Sequence, residues 1–233
     1  MSTDRSDSSA PSTGPDPFGL DGDAYVPDPD RDTALLLDAF YRRLGEELDD
    51  HSLTASMQAR QDELEEANRS RVVDAPARQN LRMTMALVAA YEALRPRVGR
   101  DAALDLVRAC FNEPFAEAVK DGTRARLDGA EDAFASIVEM SKAREEQAFG
   151  KGFVFERSAD DGDRYHVDVR HCFFHEALSA NGAPELTPVL CAFDANWIDA
   201  IDPGEHGFRF DRPTTIGTGG THCPFHFDRI RRR

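Results

Sequence analysis

At Gly150 the spacing of apolar residues changes from the helical repeat of about 3.6 to the strand repeat of about 2, and this switch limits the architectures open to the chain. Before it, five amphipathic segments follow one another. Asp30 and Asp32 are expected to cap a helix carrying Leu36, Leu37, Phe40, Tyr41, Leu44 and Leu48. Ser52 opens a second, with Leu53, Met57 and Leu64 inward and an acidic outer face. Asp74-Ala-Pro76 reads as a cap with proline in the first turn. The segment behind it, to Leu94, is apolar nearly all round and is expected to be the central helix, broken by Pro96 and Gly99. A fourth helix begins at Asp101 and continues past Pro114 through Val119. Asp128 with Glu131 has capping-box spacing for a fifth, reaching about Phe149.

After Gly150, Phe153 and Phe155 alternate with Val154 and Glu156. Tyr165, Val167 and Val169 alternate with His166, Asp168 and Arg170 across the turn Asp160-Asp-Gly-Asp163, the pattern of a β-hairpin. Helices are expected from His171 to Ala180 and from Pro184 to about Ile201, stopped by Asp202-Pro203-Gly204. Strands are expected over 207–212 and 221–228. The predicted fold class is α+β: an N-terminal helical region, 30–149, packed on a C-terminal antiparallel sheet with two covering helices, 150–233. The two regions are compatible with one domain. Residues 1–29, rich in Ser, Asp, Pro and Gly, predict a disordered tail in which Phe18, Leu20, Tyr25 and Val26 touch the body locally.

Charge narrows the partners. A formal net charge of −15 predicts no nucleic acid and no anionic membrane as partner, because both would be repelled. The surface is Asp-rich and Lys-poor, which either a high-salt environment or GC-rich coding produces. No apolar run approaches the roughly 20 residues of a membrane span, and the first twenty residues lack a signal-peptide pattern. A cytoplasmic location is expected, in which Cys110, Cys172, Cys191 and Cys223 stay thiols or metal ligands. A homo-oligomer stays open, and the cofactor is unknown: a Cys-plus-His metal site assembled in three dimensions stays open, ranked below a thiol-based or carboxylate-based site.

The chemistry-bearing residues gather in the last third. On a strand, Thr221, Cys223, Phe225 and Phe227 share one face, and His222, Pro224, His226 and Asp228 the other. Cys223 is therefore expected to face the helices. His222 and His226 would stand about 13 Å apart along a strand, too far for one ion. No cysteine spacing matches a zinc framework, so no metal ligand is assigned. Cys172 lies on the polar stripe of the first short helix. Cys191 and Asp194, three apart, share an apolar face of the next, where Asp194 needs a partner or an altered pKa. Cys110 reads as a packed small hydrophobe. For the other three cysteines packing and chemistry are both open. Gly217, Gly219 and Gly220 form a glycine-rich bend that lacks the lysine and spacing of a phosphate loop.

Residues 150–229 resemble the L-2-amino-thiazoline-4-carboxylic acid hydrolase family. The resemblance rests on Val169-Arg-His-Cys172, on Gly182-Ala-Pro-Glu-Leu-Thr-Pro-Val-Leu-Cys191-Ala-Phe-Asp194, and on Phe208 to Arg212. Thr215-Ile-Gly-Thr-Gly and Cys223-Pro-Phe-His-Phe complete it. Pro224 stands where the family pattern has an acid. The resemblance implies hydrolysis of a small cyclic amidine-like (C–N) substrate, the family's named reaction giving N-carbamoyl-L-cysteine. Two mechanisms fit it. Either a thiolate of Cys223 or Cys191 attacks the ring carbon, given a lowered pKa, or Asp194 activates water and holds the cationic ring. Arg212 or Arg170 would then bind the substrate carboxylate, with Cys172, Gly219 and Gly220 lining the site. The other class of reading is a ligand-binding or redox/metal-sensing module on the same scaffold, without turnover.

Overall fold

The computed structural model describes residues 28–231, so the tail contacts expected of Phe18, Leu20, Tyr25 and Val26 lie outside the described residues. Helix α1 spans Pro29–Leu48 and is capped by Asp28, whose carboxylate accepts the Arg31 amide at 3.1 Å. Asp30 and Asp32, the expected caps, fall instead in its first turn, where a negative charge still favours the helix N-terminus. Helix α2, His51–Ala67, is capped by Asp50 and α3, Ala75–Val98, by Asp74. Pro96 does not break α3. The helix runs on to Gly99, whose φ of 87° suits glycine. Helix α4, Arg100–Gly129, likewise continues through Pro114. Helix α5, Ala133–Arg144, is capped by Asp132 rather than Asp128 and ends in a π-helical turn, Glu145–Phe149.

Four strands form one antiparallel sheet in the order β1 (Val154–Asp160), β2 (Arg164–His171), β4 (Cys223–Arg229), β3 (Phe208–Asp211). Asp161 closes the hairpin by accepting the amides of Asp163 and Arg164 at 2.9 and 2.8 Å. Between β2 and β4 the register pairs Tyr165 with Phe227, Val167 with Phe225 and Val169 with Cys223. Tyr165, Val167, Val169, Cys223 and Phe227 are all buried. The helix expected from Pro184 to Ile201 is divided: a 3-10 turn, Pro184–Leu186, then α7, Thr187–Phe193, and α8, Ala195–Ile198, with α6, Phe173–Ala180, ahead of them. The expected stop at Asp202 caps a one-turn helix, α9, Pro203–His206.

One hydrophobic core crosses the Gly150 boundary. Leu36, Phe40, Met85 and Phe111 from the helical region pack in the same cluster as Val169, Phe173, Leu186 and Cys223. A second cluster gathers Leu127, Phe134 and Ile137 with Tyr165, Trp197, Phe208 and Phe227. Polar ties fix the halves in register. The amides of Asn68 and Asn181 bond each other reciprocally at 3.0 and 3.1 Å, and Tyr91 donates to Glu185 at 2.9 Å. Asn112 of α4 donates to the Val189 carbonyl of α7 at 3.2 Å. These contacts hold the α6–α7 segment against α3 and α4, and so place its cysteines.

Candidate active site

A three-residue 3-10 turn, Ile216–Thr218, delivers backbone donors to two thiols. Thr215 and Thr218 bond reciprocally in a capping box that fixes the turn. The Ile216 amide then donates to Cys223 Sγ at 3.1 Å. Gly217 sits against Cys191: a Cβ there would lie 2.9 Å from its Sγ and 2.8 Å from Thr187 Cγ2. Thr187 is buried and is hydrogen-bonded to His175 Nδ1 at 3.0 Å, which joins α6 to α7. Cys172 stands just ahead of α6, close enough to Cys191 and Cys223 for each to disfavour its ionisation.

Burial dominates the acidity of these thiols. It pushes Cys172 up to about 12 and Cys223 up to about 11. Cys191 is raised for the same reason, with the Thr215 side chain opposing the shift and the Asp194 charge adding to it. The lowered thiol pKa that a resting thiolate needs is therefore not met at Cys172, Cys191 or Cys223. Cys110, buried in the helical core, is raised to about 12 as a packed residue would be.

Asp194, at the junction of α7 and α8, has the partners that its apolar surroundings call for. Arg212 Nη1 lies 2.6 Å from Oδ2, and the Trp197 indole donates to Oδ1 at 3.1 Å. The second guanidinium nitrogen donates to the Cys191 carbonyl at 3.1 Å, and the guanidinium carbon lies 5.3 Å from the centre of the Phe225 ring. Arg212 thus holds Asp194 and α7, rather than presenting an open fork. Trp197, Phe225, Thr215 and the Ile216 and Gly217 amides were not singled out in the sequence as site residues. The sequence does carry signals for them: Trp197 follows Asp194 by three, Phe225 shares a strand face with Cys223, and Thr215 to Gly217 lie in the motif that carries the family resemblance.

Other candidates lie apart from this group. Arg170 alternates with Val169 and projects from the opposite face of the sheet, where it pairs with Glu156 at 2.6 Å and Asp168 at 3.0 Å. It does not join the thiols. Gly219 adopts a φ of 93°, which favours glycine, and a Cβ on Gly220 would collide with Thr214 Oγ1 and lie 2.9 Å from the Thr215 carbonyl oxygen, so its reason to be glycine is space. On the outer face His226 bonds Asp168 at 3.0 Å and His166 bonds Asp228 at 2.9 Å, with the two imidazoles stacked at 4.3 Å. His222, just ahead of β4, also approaches the Asp168 carboxylate, at 3.9 Å; Asp168 pairs with Pro224, midway between the two histidines, and so lies within reach of both.

Among the described residues, Asp128, Glu205 and His206 have ligand atoms close enough to share a cation. The tautomer of His206 opposes this. Its Nδ1 accepts the Asp202 amide at 2.9 Å, so Nε2 carries the hydrogen and donates to Asp128 at 2.9 Å. The group acts as a link between α4 and α9.

The family model described as L-2-amino-thiazoline-4-carboxylic acid hydrolase matches residues 79–227. The chain belongs to this family. As a member of the L-2-amino-thiazoline-4-carboxylic acid hydrolases, it matches from Gln79 in α3 onward, well upstream of the stretch that carries the resemblance by eye. Cys172, Cys191, Asp194, Arg212, the 3-10 turn and Cys223 all fall within the family match. No curated protein and no solved structure matches the chain. None of the helices among the described residues is long and apolar enough to cross a membrane.

Proposed function

We propose that the chain is a hydrolase that opens a small cyclic amidine-like ring, with Asp194 receiving both the cationic ring and the attacking water. The observation that supports this reading is the Asp194 carboxylate, partly buried beside Cys191 and fixed by Trp197 and Arg212, inside the family match. A protonated 2-aminothiazoline ring is a planar, amidine-like cation whose electrophilic carbon lies between the ring nitrogen and the ring sulfur. The carboxylate favours this charged form and positions its carbon. Water adds to that carbon as its proton passes to Asp194. The ring carbon–sulfur bond then breaks, and the departing sulfur takes the proton back from Asp194. The net change is the addition of one water and the loss of the ring's extra proton to solvent, giving a carbamoyl group and a free thiol.

A second route keeps a cysteine as nucleophile, and the Ile216 amide on Cys223 Sγ favours it, since that donor would stabilise a thiolate once formed. Bringing a cationic ring beside the thiol would also ease its ionisation. The discriminating experiment is ring opening of 2-aminothiazoline-4-carboxylate by Asp194→Asn, Cys191→Ser and Cys223→Ser, each checked for folding by circular dichroism. Loss in Asp194→Asn with turnover kept in both serine variants supports the carboxylate route. Loss in one serine variant alone moves the chemistry to that sulfur. Saturable thermal stabilisation by the same compound with no product from the wild type would make the protein a binding module.

A further inference from the structure

We infer that the Asp194–Arg212 ion pair is a charge gate: a ligand enters by opening it, and both halves re-pair only if the ligand carries a planar cation and a carboxylate. The inference rests on the reading above for the location of the site, but it concerns recognition rather than bond breaking.

Arg212 brings a planar, delocalised N–C–N cation to this place. Its Nη1 meets the Asp194 carboxylate at 2.6 Å, its Nη2 donates to the Cys191 carbonyl at 3.1 Å, and its carbon lies 5.3 Å from the centre of the Phe225 ring. Trp197 holds the other carboxylate oxygen, so the acid stays oriented if the guanidinium leaves. A protonated cyclic amidine has the same plane, the same charge and the same edge of N–H donors. The resident guanidinium therefore occupies the position that a ligand cation would take.

The energetics make the exchange selective. The side chains of Asp194 and Arg212 are only 24% and 14% exposed, so neither charge is well hydrated once parted. A lone cation could replace Arg212 on Asp194, but it would strand the guanidinium. A lone anion could capture Arg212, but it would strand the carboxylate. A small zwitterion satisfies both. Arg212 lies just beyond the end of β3 and before the exposed Pro213, so moving its side chain does not require a strand to unpair.

The test is binding, measured by calorimetry and thermal shift at one fixed pH near neutrality. The probes are 2-amino-2-thiazoline-4-carboxylate, which carries both charges, 2-amino-2-thiazoline, a cation alone, and 2-oxothiazolidine-4-carboxylate, an anion alone. The wild type should bind the zwitterion at least about tenfold more tightly than either singly charged compound. Arg212→Ala should bind the lone cation at least about tenfold more tightly than the wild type does, because the competing guanidinium is gone. Arg212→Gln fills more of the same space without charge and should behave alike, which covers a folding failure of the alanine variant. Equal wild-type affinity for the zwitterion and the lone cation overturns the gate. So does a lack of gain in both variants, or a lack of binding by all three probes. Product formation is read separately. Charge discrimination without product retains the gate and removes the hydrolase reading, and product without discrimination does the reverse.

Discussion

Gly217 and Cys191 are in direct contact: a Cβ on Gly217 would stand 2.9 Å from Cys191 Sγ. The glycine in this turn is thus required by a close approach and not by its dihedral angles, since its φ is not positive. Thr187 Cγ2 at 2.8 Å and the Pro188 backbone nitrogen at 3.2 Å close the remaining space.

Gly217→Ala should therefore destabilise the protein by about 1–3 kcal/mol, the usual cost of forcing an extra methyl into a packed site. Part of that cost belongs to the sulfur. In a double-mutant cycle followed by denaturant unfolding, Cys191→Ala should recover some of it. Strictly additive effects would show that Thr187 and Pro188, not the thiol, set the limit.

The raised thiols give a pH signature. Cys172 at about 12 and Cys223 at about 11 prefer their protonated forms in the fold more than in the unfolded chain. The stability they confer is present below the unfolded thiol pKa of about 8.5 and is lost as pH rises through the folded values. Alkylation of the native protein should accordingly be slow at pH 7 and accelerate between about pH 9 and 11. Rapid modification of Cys223 at neutral pH would contradict this and restore a resting thiolate.

Asp168 lies on the opposite side of the sheet from the thiols and accepts from Arg170 and His226 at 3.0 Å each. Removing it leaves the half-buried His226 without this acceptor, whereas the exposed Arg170 keeps Glu156. Asp168→Ala should cost about 1–3 kcal/mol in unfolding experiments. Ring-opening activity per folded molecule should stay at the wild-type level, in contrast to Asp194→Asn. Equal losses of activity in the two variants would mean that both faces of the sheet serve the reaction.

Tyr165, fully buried in β2, donates its hydroxyl to Glu145 at the start of the π-helical turn and accepts from Arg157 at 3.2 Å. Burial, reinforced by Glu145, raises its pKa. Tyr165→Phe should lower stability by about 1.5–3 kcal/mol, as for a hydrogen bond to a charged partner. A thermal-melt difference within error would assign the interaction to the surface ion pairs instead.

Much of the fold was legible because it depends on period. The five helices before Gly150 and the hairpin after it follow from spacing alone, as does the inward direction of Cys223. The errors arise where tertiary contacts override local rules. Pro96 and Pro114 sit inside helices whose buried faces outweigh the lost hydrogen bond. Asp28 and Asp132 displaced the expected caps, because several nearby aspartates could serve and the chain path chooses among them. Arg170, the alternative to Arg212 for the substrate carboxylate, alternates with the inward Val169, and that alternation already puts it on the other face. The Asp194–Arg212 partnership joins residues eighteen apart across α8 and β3, and no local pattern encodes it.

The edges of the sheet have a consequence of their own. β1 carries two register shifts, between Val154 and Phe155 and between Arg157 and Ala159, and β3 is only four residues long. An incoming strand would find neither an evenly spaced row of donors and acceptors nor enough length to hold on. The sheet that carries Cys223 is therefore guarded against growth at both margins, and partly unfolded neighbours cannot readily recruit it into a fibre.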